Sequence, residues 1–165
     1  MPSLEEAVAT FLAEPRIAVC GVSRQGGLPA NAIYRKLRAA GHAVFAVNPN
    51  ATEVEGDPAY PDLAAIEGGV GAVMIATPPG AGAAIVEQCT ALGVRHVWFH
   101  RSFGAGSVSS DAVALARDRG LNVIPGSCPM MFVEPVDGPH RCLRWFLRVT
   151  GKAPEPIAPA GPALD

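Results

Sequence analysis

The chain has 165 residues, with 49% apolar and 17% charged side chains and a formal charge of -2. That length allows one domain with a proper core, and the balance excludes a globally disordered chain and a global basic field for nucleic acid. No apolar run approaches a membrane span, and the start Met1-Pro-Ser-Leu-Glu-Glu6 lacks the basic and apolar regions of a signal peptide, so a cytoplasmic protein is expected.

Ser3 and Glu6 form a capping-box signature, and Leu4, Val8, Phe11 and Leu12 share a face, which predicts a helix from Leu4 to Ala13. Pro15 ends it. Arg16 to Val22 reads as a buried strand, Ser23 to Pro29 as a loop, and Asn31 to Ala40 as an amphipathic helix. Asn31 is its candidate N-cap and Gly41 its left-handed C-terminal cap. The helix–Gly–strand pattern Ala39-Ala-Gly-His-Ala-Val-Phe-Ala-Val47 recurs at Ala91-Leu-Gly-Val-Arg-His-Val-Trp-Phe99 and at Arg119-Gly-Leu-Asn-Val-Ile124.

Between these junctions, a short helix is expected near Pro61 to Ile66 and a third strand from Val70 to Ala76. A helix from Ala81 to Leu92 buries Ile85, Cys89 and Leu92, and the fourth strand runs from Arg95 to Phe99. After the loop His100 to Gly106, Ser109 or Ser110 caps the next helix. The fifth strand is Leu121 to Ile124, and a last helix from Pro139 to Val149 places Cys142, Trp145, Phe146 and Val149 on one stripe. The proline-rich stretch 151–165 is expected to be a disordered tail behind a single domain over 1–150. Alternating helices and strands of this kind make an α/β, doubly wound, mostly parallel five-stranded sheet with helices on both faces.

Ligands of such sheets bind beyond the C-terminal strand ends, where the strand order reverses. The strand ends here are Gly21-Val-Ser-Arg24, Val47-Asn-Pro49, Ala76-Thr-Pro-Pro79, Phe99-His-Arg-Ser102 and Pro125-Gly-Ser-Cys128. Unpaired amides at the first turn and the following helix start attract phosphate. The turn reads Gly21-x-Ser23-x-x-Gly26 rather than the dinucleotide GxGxxG, and the second strand ends without an acidic ribose anchor. Both departures count against NAD, and both glycines also suit plain turns.

The runs Ile17-Ala-Val-Cys-Gly-Val-Ser23, Ala46-Val-Asn-Pro49, Val73-Met-Ile-Ala-Thr-Pro-Pro79, Gly93-Val-Arg-His-Val-Trp98 and Pro125-Gly-Ser-Cys-Pro-Met130 occur in this order. With them the chain resembles the small stand-alone CoA-binding domain proteins over Glu14 to Met131. More distantly it is similar to the CoA-binding domain of the succinyl-CoA synthetase α subunit. The resemblance implies a Rossmann-like fold that binds coenzyme A, or an acyl-CoA, through its adenine nucleotide and diphosphate. By motif position it puts Gly21, Val22 and Ser23 along the phosphates, with Arg24 as a phosphate partner or a solvated loop residue. Asn48 and Pro49 would lie beside the adenosine, and Thr77 and Pro78 on the opposite wall. The synthetase's phosphohistidine domain has no counterpart here, so a non-catalytic carrier or sensor is expected rather than a ligase.

Alternatives are an NAD(P)-dependent oxidoreductase on a shortened Rossmann domain and an interaction protein that has lost its ligand. The last helix suits a homodimer or packing on its own sheet. Cys128 reads as a loop cysteine, with a mixed disulfide to coenzyme A as the alternative. Cys128, His140 and Cys142 match no standard zinc spacing. No triad or acid–base pair stands out, and Ser23 has no histidine partner in sequence.

Overall fold

The computed structural model describes residues 1–102 and 104–159. Helix α1, Leu4–Leu12, starts on the expected capping box: the Ser3 hydroxyl accepts from the Glu6 amide and the Glu6 carboxylate from the Ser3 amide. Strand β1 is Arg16–Cys20, helix α2 is Pro29–Ala39 and strand β2 is Ala43–Val47. The short strands β3, Glu53–Val54, and β4, Asp57–Tyr60, follow, and β5 is Ala72–Ile75. The remaining elements are α3, Gly82–Ala91, β6, His96–Phe99, α4, Ser110–Asp118, β7, Asn122–Pro125, and α5, Gly138–Val149.

Seven strands form one sheet in the order β3-β4-β2-β1-β5-β6-β7, parallel throughout except for the β3–β4 pair. The expected doubly wound α/β architecture is present, but with seven strands rather than five. The two additional strands come from a hairpin whose turn is Glu55-Gly56, both at positive φ (53° and 78°). Such a turn matches the twist of its flanking strands.

Alternation along the central strands assigns the core. Ile17, Val19, Met74 and Trp98 pack with Val8, Phe11, Ile33 and Leu37 on the α1/α2 face. Ala18, Cys20, Val73 and Phe99 pack with Val86, Cys89, Ala112 and Ala116 on the α3/α4 face. A strand buried on both faces must read as an unbroken apolar run, as these do. The three helix–Gly–strand junctions share one cap. At Gly41, Gly93 and Gly120 the glycine amide and the next amide close back on carbonyls of the last helical turn.

Four local expectations need correction. Leu92, expected to be buried, is 48% exposed, because it follows the last residue of α3 as its C-cap. Asn31 is not the N-cap of α2: the helix begins at Pro29 after Leu28, because proline suits the first helical position, and Asn31 is fully buried inside it. Pro61 to Ile66 forms turns rather than a helix. The Arg16 guanidinium takes the Glu67 and Gly69 carbonyls there, while Leu63 and Ile66 are still buried. Finally, part of the stretch 151–165 is held on the sheet: Ile157 exchanges two 2.8 Å backbone hydrogen bonds with Val123 of edge strand β7. An edge strand offers unpaired groups to any such segment, and Ile157 adds an apolar contact with the core. Residues 160–165 lie outside the described residues.

Among the described residues, no helix is long and apolar enough to cross a membrane.

Candidate functional site

The strand order reverses between β1 and β5, since the chain runs outward from β1 to β2 and then returns to β1's other side. A cleft of about 470 Å³ opens there at the C-terminal strand ends. Gly21, Ala30, Ala76, Thr77 and Pro78 line one part of it, and His100 and Ser102 another.

Gly21 has φ +103°, and a Cβ there would run into the Ala76 carbonyl. Only glycine allows β1 to turn this close to β5. The Gly21 amide donates to the Val47 carbonyl at 3.1 Å. Val22 points into the core with no exposure, and its carbonyl accepts from the Asn48 side chain at 2.8 Å. Asn48 also accepts from the Asn50 amide at 2.8 Å, so its side chain fastens the β1 turn to the end of β2. Pro49 beside it is exposed.

Ser23 is held by Asn31. Its amide donates to Asn31 Oδ1 at 3.0 Å, and its carbonyl accepts from Asn31 Nδ2 at 2.7 Å. The Ser23 amide expected to be free is therefore engaged in this state. The Ser23 hydroxyl accepts from the Gln25 amide at 3.1 Å, which bends the loop back toward α2. Arg24 is exposed, and no acidic side chain among the described residues pairs with it.

The free donors lie elsewhere. Among the described residues, no hydrogen bond engages the amides of Val22, Arg24, Gly26 or Ala30. Helix α2, whose start lines the cleft, has no side-chain N-cap, whereas Ser3, Ser109 and Asp137 cap α1, α4 and α5; α3 lacks one too, but a 3-10 turn at Pro79–Ala81 leads into it and engages the Gly82 amide. Uncapped helix starts beside a cleft favour an anion there.

Sequence reasoning missed three site groups. The first is Asn31, whose Nδ2 also reaches Glu55 Oε1 at 2.6 Å. The second is Glu55, an acid brought to the rim by the unforeseen hairpin. Asn31 and then Arg35, at 2.7 Å, hold its carboxyl below the usual range. Asp57 is similarly lowered, by the Tyr34 hydroxyl at 2.7 Å and Arg38 at 2.6 Å. The third is the pairing of buried His100 with half-buried Ser102, Nε2 to Oγ at 3.1 Å, at a strand end that the sequence placed on the rim without joining the two. Burial pushes the His100 pKa down by disfavouring the charged ring. The near neighbours His100 and Ser102 were the available signal, but only loop closure by the Ser107 amide on the His100 carbonyl, at 2.8 Å, gives them meaning.

Cys128 lies on the loop after β7, as expected, and is buried there, and desolvation raises its thiol pKa. A thiol in that state is a poor nucleophile, so the geometry argues against a mixed disulfide with coenzyme A. Thr77 lines the cleft with a buried hydroxyl that has no hydrogen-bond partner among the described residues.

The family model of the CoA binding domain matches residues 15–134. The chain belongs to that family. An acetate–CoA ligase (ADP-forming) of Archaeoglobus fulgidus is 37% identical over 73 residues, which cover 44% of this chain and 11% of the ligase. The chain thus spans about a tenth of the length of that curated relative. A hypothetical protein of Pyrococcus horikoshii superimposes with a TM-score of 0.69 at 26% identity, covering 78% of this chain and 91% of its own. The apo form of the dinucleotide forming acetyl-coenzyme A synthetase 1 of Ca. Korarchaeum cryptofilum gives a TM-score of 0.58 at 25% identity, covering 67% of this chain and 25% of its own. The expected membership of the CoA-binding family and the Rossmann-like fold are both borne out.

Proposed function

We propose that this protein binds coenzyme A or an acyl-CoA through its adenine nucleotide and diphosphate, and acts as a carrier or sensor without chemistry of its own. The observation that carries this reading is the cleft where β1 and β5 diverge, lined by the uncapped start of α2. The diphosphate lies along the turn from Gly21 to Arg24, taking free amides there and at Ala30, with Arg24 as its cation. The adenosine rests by Asn48 and Pro49, and Thr77 and Pro78 form the facing wall. Family membership supports coenzyme A as the ligand. Glu55 does not revive the dinucleotide alternative, because Asn31 and Arg35 already occupy its carboxylate.

A second copy of the chain is the protein partner that α5 favours. Trp145, Phe146 and Val149 are 62%, 50% and 65% exposed, and none of the helix's residues is buried. Sedimentation over a range of protein concentrations tests that pairing, and a monomer throughout would reject it.

Calorimetric titration with coenzyme A, NADH and ATP tests the ligand. Micromolar binding of coenzyme A without an NADH response is expected. NADH binding in preference to coenzyme A, or silence toward all three, would reject the reading.

A further inference from the structure

The loop after β6 has two sides. His100, Gly106 and Ser107 line the cleft described above, whereas Arg101 lines a second hollow of about 430 Å³, with Ser102 on the boundary of both. The other walls of this hollow include Gly126 and Ser127, just past β7, and Lys152, Pro154 and Glu155, from the stretch that leads from α5 to the Ile157 bridge. That stretch lies beyond residues 15–134, the part that matches the family model.

Ser127 is 5% exposed, it has φ +74°, and its hydroxyl is buried without a hydrogen-bond partner among the described residues. A left-handed residue other than glycine is strained, and an orphan polar group adds to that cost; both gather where a ligand uses them. The backbone around Ser127 is fixed. The Trp98 indole donates to the Gly126 carbonyl at 2.7 Å, and the Arg101 amide donates to the Ser127 carbonyl at 2.9 Å. In a trans peptide the amide points opposite to the carbonyl, so the Ser127 amide is turned away from the indole. Among the described residues, no hydrogen bond engages the amides of Gly126 or Ser127.

Cations stand beside these donors. The Arg101 side chain flanks Gly126, and Lys152 is placed by its amide, which donates to the Leu147 carbonyl at 3.1 Å. Neither cation pairs with an acid among the described residues. Two amides, a hydroxyl, a guanidinium and an ammonium exceed what the two oxygens of a carboxylate can use, and they suit the four oxygens of a phosphate. Glu155 lines the same hollow and opposes a bound negative charge.

We propose that this hollow is a second anion site, for a compact tetrahedral oxyanion of the phosphate class, separate from the turn at Gly21 to Arg24. The Gly126 and Ser127 amides and the Ser127 hydroxyl donate to the oxyanion, and Arg101 and Lys152 balance its charge. The oxyanion supplies the acceptor that the Ser127 hydroxyl lacks in the free protein. The site stands whether or not the nucleotide cleft takes coenzyme A.

Calorimetric titration of the full chain with inorganic phosphate, in a chloride buffer, tests this, and saturable binding is expected. Lys152→Ala should weaken it about three- to tenfold, the range of one hydrogen bond, and Glu155→Gln should tighten it about two- to threefold by removing a like charge. Ser127→Ala should also weaken phosphate about three- to tenfold, yet hold or raise Tm in phosphate-free buffer, because it deletes a buried orphan; a structural hydroxyl would lower Tm instead. Lys152→Ala should leave coenzyme A binding within about twofold, since the two sites share no cation. No saturable phosphate binding, or phosphate binding indifferent to Lys152 and Ser127, as it would be on the β1 turn, overturns the proposal and leaves the coenzyme A reading standing. Equal losses for phosphate and coenzyme A would make the hollow part of the nucleotide cleft and overturn it as well.

Discussion

Asn31 offers the sharpest test of how the phosphate turn is built. Replacing it by alanine removes both hydrogen bonds to the Ser23 backbone, at 3.0 and 2.7 Å, and the 2.6 Å bond to Glu55. The site is fully buried, so water does not replace the lost amide without rearrangement. Two backbone groups stranded in a part-buried turn cost about 1 kcal/mol each, and the charge-assisted bond to Glu55 adds roughly another 1 to 2 kcal/mol, since Arg35 still serves that carboxylate. The expected loss is about 3 kcal/mol, measured by urea unfolding at pH 7. That is a large fraction of the ~5–15 kcal/mol of a typical domain, but a folded population remains at 25 °C. Asn31→Asp should be at least as damaging, because it sets a second carboxylate against Glu55 and removes the donors. Pairing Asn31→Ala with Glu55→Ala in a double-mutant cycle isolates the bond between them, with about 1 kcal/mol of coupling expected. A loss below about 0.5 kcal/mol for Asn31→Ala would refute the idea that this side chain fixes the turn.

Gly21→Ala should destabilise by roughly 2–4 kcal/mol, read by thermal unfolding, because alanine is strained at φ +103° and its Cβ overlaps the Ala76 carbonyl. Native protein treated with a thiol reagent should release one equivalent of colour, from the exposed Cys142, and four after denaturation. Burial supports the silence of the other three: it pushes Cys89 up to about 12 and raises Cys20 and Cys128 as well. On acidification, stability should first decline below the unfolded histidine pKa of about 6.5, because burial lowers His100 and His96 and both must take up protons on unfolding. A second decline should follow below about pH 4, as Glu55 and Asp57, lowered by their partners, become protonated. His100→Gln should flatten the first phase in a pH series of urea midpoints, and an unchanged phase would show that His100 does not contribute.

Much of the sheet was legible because its signals are local. The helix–Gly–strand junctions at Gly41, Gly93 and Gly120 announce a left-handed cap within a few residues, and the apolar runs of β1, β5 and β6 match burial on both faces. The β3–β4 hairpin was not legible, because two-residue and four-residue strands carry almost no periodicity and Pro58 argues against a strand. Asn31 was misread for a related reason. Asparagine before an amphipathic run suggests a cap, yet its partners are Ser23, eight residues back, and Glu55, 24 residues ahead. The rim positions from Gly21 to Ser23 were legible as a turn, whereas the occupation of the Ser23 amide by a side chain depends on tertiary packing alone. The His100–Ser102 pair needed the closed loop 100–107 before two polar neighbours became a paired site.

The central claim is that coenzyme A lies with its diphosphate on the β1 turn. It is tested most directly by following backbone amide resonances of labelled protein as coenzyme A is added. The largest shifts are expected at Val22, Arg24, Gly26 and Ala30. Shifts gathered instead around β7 and Ile157, with the β1 turn unmoved at saturation, would contradict it.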